Sequence, residues 1–136
     1  MIGEPMRKGV TWISDELIRA GAHDRALGSD GFLVMAFLLS WATPAGAAGR
    51  VWETSASHIS DEFGWGRNRE RARAAIERAK KDGRLIVREY MRDGATVRSR
   101  RSYVVAAGGR RFTDEEKLVW ERSIVLPSRI ETPWRS

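Results

Sequence analysis

Between Arg67 and Arg84 the chain sets arginine, lysine and asparagine on a repeating alanine framework, and these residue types carry the most chemistry in the sequence. With Ala72, Ala75, Ile76 and Ala79 turned inward, a helical step of roughly 100° puts Arg67, Glu70, Arg73, Ala74, Glu77 and Lys81 on or beside the outward face. Arg71 and Arg78 flank that face. Arginine grips guanine O6 and N7 with two hydrogen bonds, asparagine does the same for adenine, and the leading turns of a groove-bound helix do most of the reading. Arg67, Asn68, Arg69, Arg71 and Arg73 are therefore the expected base-reading set. Ser55, Arg78, Lys80, Lys81 and Arg84 are expected to touch phosphates, contacts that position without specifying.

A second basic stretch follows. Arg84 to Met91 is rich in strand formers, Asp93 and Gly94 make a strong short hairpin signal, and Thr96 to Val105 reads as the returning strand. A two-residue turn sets Glu89 opposite Arg98 and Tyr90 opposite Val97. Arg92 then stands at the tip, with Arg98, Arg100 and Arg101 on the returning strand. Arginines at such a tip suit a narrow minor groove, where the negative potential is strongest.

The elements that must position these residues are marked by local signals. Ser55 is an N-cap for a short helix carrying Ala56, Ile59 and Phe63, and Gly64 stops it. A second helix is expected from about Arg67 to Lys81, with Gly83 closing it. Ser55, Ile59, the Phe63–Gly64–Trp65 turn, the Ala75–Ile76 core pair and the entry Asp82, Gly83, Arg84, Leu85 together resemble the winged helix-turn-helix family, as found in prokaryotic regulators and in replication initiators of phages and plasmids. The chain departs from that pattern in a turn longer by about two residues around Gly66 to Asn68. The resemblance implies an α+β fold with a two- to three-stranded antiparallel wing sheet, joined by a short strand over Arg50 to Glu53. Trp65 in this turn is expected to pack between the helices.

Composition narrows the alternatives. The chain has 136 residues, no cysteine, and a formal net charge of +6. Gly64 to Arg111 holds fifteen Lys/Arg against five Asp/Glu, a local balance of +10, and the remainder balances to −4. A basic module on a mildly acidic body suits a polyanion. The basic helix has no interleaved aromatics of the kind single-stranded RNA would stack on, which favours duplex DNA. His23 and His58 lack metal-ligand spacing, no nucleophile motif is present, and Gly64 and Gly66 alone do not make a nucleotide loop. Neither catalysis nor a cofactor is expected. No apolar run approaches the roughly 18 residues of a membrane span, and a cytoplasmic, nucleoid-associated protein is the expectation.

Elsewhere, Met1 to Gly9 reads as an arm, and Val10 to Ile13 as a strand or extended anchor. Ser14 caps a helix over Asp15 to about Ala20. Ser29 or Asp30 is expected to cap Gly31 to Trp41, apolar on nearly every side and fit to be buried. Thr113 and Glu116 form a capping box for a last helix ending near Ser123. The expected division is residues 1–112 as the DNA-binding domain, with its core motif over 55–105, and 113–136 as a C-terminal helix and tail for dimerisation. The function expected is sequence-specific DNA binding by a homodimeric transcriptional regulator. A plasmid or phage replication or maintenance factor is the alternative, and a winged helix used only for protein interaction is the rival of another class.

Overall fold

The structure, a computed structural model, describes residues 11–23, 26–44, 49–66 and 69–122. Among these it is α+β, with five α-helices and an antiparallel sheet. Helix α1 (Asp15–Ala22) starts at Ser14, whose Oγ accepts from the Leu17 amide at 3.1 Å, and runs two residues past the expected end. Residues 11–13 belong to no strand, and Val10 lies outside the described residues. Gly21 lets α1 press against the next helix, since a Cβ there would stand 2.5 Å from that of Phe32.

Helix α2 (Gly28–Trp41) buries Val34, Met35, Leu38 and Leu39. It begins before Ser29 and has no side-chain cap; Asp30 instead lies inside the first turn and is engaged elsewhere. Strand β1 (Thr43–Pro44) is a stub beside β2 (Arg50–Thr54). Helix α3 (Ala56–Glu62) is capped by Ser55, which accepts from the His58 amide at 3.1 Å. It ends in a Schellman turn: Gly64 at φ +68° donates to the Asp61 carbonyl, and Trp65 donates to that of Ser60. The buried Ser60 hydroxyl braces the same turn by donating to the Gly66 carbonyl at 2.9 Å.

Helix α4 (Arg69–Lys81) buries Ala72, Ala75, Ile76 and Ala79, the expected stripe. Gly83 and Arg84 close it with a second Schellman pair, to Lys80 and Ala79. Strands β3 (Leu85–Arg92) and β4 (Ala95–Val105) form the hairpin over Asp93 and Gly94, both at positive φ as a type I′ turn requires. The sheet order is β1-β2-β4-β3, so the Arg50–Thr54 strand does join the hairpin, along the returning arm.

Alternation along β4 splits the core in two. Tyr103 and Val105 join the main cluster with α1, α2, α3 and α4. Val104 faces the other way, into a smaller cluster with Val51, Ala106, Phe112 and Trp120. Trp120 comes from α5 (Asp114–Arg122), whose capping box forms as expected: the Thr113 amide donates to Glu116 at 2.9 Å and the Glu116 amide to Thr113 at 3.2 Å. Trp120, at 3% exposure, covers the second face of the sheet, so α5 is packed on the body that precedes it. Leu118 and Val119 stay exposed, and the run from Ile124 to Leu126 lies outside the described residues.

The hairpin register differs from a regular ladder. Tyr90 is opposite Val97 as expected, but Glu89 is opposite Arg101 rather than Arg98.

Candidate functional site

Where α4 passes β4 and the start of α3, the surface opens into a groove of about 650 Å³. Ser55, Ala56 and Ser57 form its α3 side. Arg69, Arg73, Ile76 and Glu77 form its α4 side, and Arg98, Ser99, Arg101 and Tyr103 its β4 side. Arg69 and Arg73 are four apart and Ile76 and Glu77 follow one turn on, so a single face of α4 looks into the groove. The lining thus combines apolar side chains with four guanidinium groups, four hydroxyls and the Glu77 carboxylate.

Of the five residues expected to read bases, Arg69 and Arg73 line this groove, and Arg67 and Asn68 lie outside the described residues. Arg71 does not line it. It stands about 200° around α4 from Arg69 and donates to Asp30 of α2 at 2.8 and 3.0 Å, which lowers the Asp30 carboxyl below its usual range. Its guanidinium also lies 4.5 Å from the Trp65 ring centroid, and Trp65 stacks on Phe63 at 4.9 Å. Trp65 is thus a packing residue between α3 and α4, as expected of this turn.

The residues expected at phosphates divide as well. Arg84 is the clearest correction. It is 2% exposed, with Nε 2.6 Å from Asp82 and Nη1 donating to Glu16 at 2.8 Å and to the Gly109 carbonyl at 3.1 Å. Arg111 closes the network by donating to Asp82 at 2.8 Å and from its amide to Glu16 at 3.2 Å. Burial pushes the Asp82 carboxyl up, but the hydrogen bonds from Arg111 and Arg84 outweigh it and hold it below its ordinary value. The backbone hydrogen bond from Arg111 does the same for Glu16, helped by Arg84 against the small cost of burial. Arg84 is spent inside the protein.

Arg78 is half-buried, with its Nε donating to the Ala26 carbonyl at 3.2 Å and its Nη1 near Gly28 at the start of α2. Lys80 is paired with Glu77 at 3.1 Å and Arg73 with Glu70 at 2.8 Å, both exposed and so lightly held. Lys81 is exposed, and Ser55 both caps α3 and lines the groove.

On the hairpin, Arg98 and Arg101 line the groove, Arg100 is exposed outside it, and Arg92 stands by the tip with its guanidinium 5.9 Å from the Tyr90 ring centroid. Burial raises the Tyr103 hydroxyl above its usual value, and the charge of Arg101 draws it partly back. Ser57, Ser99 and Tyr103 are groove residues that the sequence did not single out. Nothing local marks Ser99, which lies where the register between β3 and β4 shifts.

Among the described residues no helix is long and apolar enough to cross a membrane, and no group of three or more acidic or histidine side chains could hold a metal ion. No family model, curated protein or solved structure matches the chain.

Proposed function

We propose that this chain is a winged helix-turn-helix protein that binds duplex DNA in a sequence-specific way and acts as a transcriptional regulator. In this reading α3 and α4 are the helix pair, α4 enters the major groove, and the β3–β4 hairpin is the wing. The observation that carries it is the groove between α4 and β4, where Arg69, Arg73, Arg98 and Arg101 converge from two elements on one open surface. A B-DNA major groove roughly 12 Å wide admits a helix, and guanidinium groups on that helix meet both base edges and phosphates.

A homodimer belongs to the same proposal, since one helix and one wing read few base pairs and pairing on a palindrome supplies the rest. Leu118 and Val119 on the outer side of α5 and the 57%-exposed Trp41 offer apolar surface for it. Selection of bound duplexes from a random pool is the test. Recovery of a defined, palindromic sequence is the expected result, and recovery of no preferred duplex would sink the reading.

A further inference from the structure

Strand β4 carries more residues than β3 across one step of their ladder. Tyr90 lies opposite Val97, and its neighbour Glu89 lies opposite Arg101, so Arg98, Ser99 and Arg100 belong to no pair. Excess residues on one strand bend it and re-aim its side chains. Here Arg98 and Ser99 come to the groove wall that faces Arg69 on α4. Arg101 braces the bend by donating from Nη1 to the carbonyls of Arg98 at 2.9 Å and Arg100 at 3.0 Å. Carbonyls satisfy its donors without neutralising its charge.

The contrast with the rest of α4 is informative. Arg71, Arg73, Lys80 and, beyond the helix, Arg84 all have acidic partners. Arg69 and Arg98 have none among the described residues, yet they line one groove from opposite elements. Two guanidinium groups without acidic partners on one groove draw an anion between them, since the one carboxylate in the lining, Glu77, is paired with Lys80. The neighbouring hydroxyls of Ser57 and Ser99 add neutral donors.

We propose that the bulge in β4 builds a phosphodiester clamp, in which Arg69 and Arg98 hold the same backbone phosphate of bound DNA. The inference rests on the duplex-binding reading above and adds to it a shared contact that fixes the reading helix and the hairpin in one register on one strand. The tip residue Arg92 takes no part in it.

Methylphosphonate scanning tests this directly, with each phosphate of the selected duplex neutralised in turn. In the intact protein, neutralising the clamped phosphate weakens binding about tenfold. In Arg69→Ala and in Arg98→Ala the penalty at that one position shrinks, penalties at other positions persist, and Arg92→Ala leaves it unchanged. Both arginines are exposed, so circular dichroism is expected to show all variants folded.

The salt response supplies a second readout. The Arg69→Ala, Arg98→Ala double variant should lose about 0.9 of a unit of log–log slope per protomer bound for one shared phosphate, and roughly twice that for two separate ones. If Arg69→Ala and Arg98→Ala lost sensitivity at two different phosphates of the same half-site, the clamp would be overturned and the DNA-binding reading would stand. If the intact protein bound no duplex even at low salt, that reading would fall first and the clamp with it.

Discussion

The Arg71 guanidinium and the Asp30 carboxylate meet side by side, with Nε 2.8 Å from Oδ2 and Nη2 3.0 Å from Oδ1. The pair ties α4 to the first turn of α2, while Arg73 lines the groove on the opposite side of α4. Arg73→Ala is therefore expected to weaken duplex binding by about 1–3 kcal/mol and to relax preference at one base pair. Arg71→Ala is expected to lower the melting temperature and leave base preference intact. Fluorescence anisotropy on single-base variants of the bound duplex separates the two. Equal relaxation of preference by both variants would contradict the assignment.

Arg84 should behave as a core residue. Arg84→Ala removes the partner of Glu16 and Asp82 and is expected to cost about 3–5 kcal/mol of folding stability, read from urea midpoints. Affinity of the folded fraction for duplex DNA should stay within a factor of two or so, because the guanidinium is 2% exposed. A variant of full stability with reduced affinity would restore Arg84 to the DNA surface.

Trp120 gives a test of what α5 does. It packs on Val51, Val104, Ala106 and Phe112, and Arg88 donates to its carbonyl. Trp120→Ala is expected to cost about 3–5 kcal/mol by opening a cavity behind the sheet. Ending the chain before Thr113 should likewise destabilise the domain and not merely separate two copies. A truncated chain that melts like the full one would show that α5 is dispensable to the fold.

Acid should act partly through Glu116. Two hydrogen bonds from Arg110 and one from the Thr113 amide hold its carboxyl down from 4.5 to about 2. A carboxyl whose folded value is depressed contributes stability that is full above about 4.5 and is lost as pH falls towards 2. The stability gap between the natural chain and Glu116→Gln should accordingly narrow from pH 5 down to pH 2 in urea titrations. A gap constant over that window would mean that the carboxylate charge is not what stabilises α5.

Salt reports on the whole basic surface. If a dimer neutralises about eight phosphates, log K should fall with log salt at a slope near −7. A flat response would exclude the groove as a polyanion surface.

The local features were legible in the sequence because their causes are local. Ser14, Ser55 and Thr113 cap helices, Gly64 and Gly83 end them, and Asp93 with Gly94 turns the hairpin, each within a few residues of its effect. Part of the groove lining was legible for the same reason: Arg73 follows from helical phase and Arg69 from its place in the leading turns of α4. Other arginines find internal partners far away in the sequence. Arg71 meets a carboxylate 41 residues distant, Arg78 a carbonyl 52 residues distant, and Arg84 a carboxylate 68 residues distant. Residue type marks a cation, but only the packing of α1 and α2 decides whether an internal partner claims it. The register of β4 was hidden in the same way, since β2 and the helices hold its lower half while the turn governs only its upper half.

That division of β4 separates reach from grip. The upper hairpin, from Tyr90 round to Val97, takes its alignment from the turn, and the lower sheet takes its own from β2. Lengthening each upper arm would carry Arg92 outward by roughly 3.3 Å per residue, with its original facing regained every second residue. The groove would not move. The span between the groove and Arg92 is therefore an adjustable dimension of this molecule, set by hairpin length alone, and it can drift or be redesigned without any change in the core.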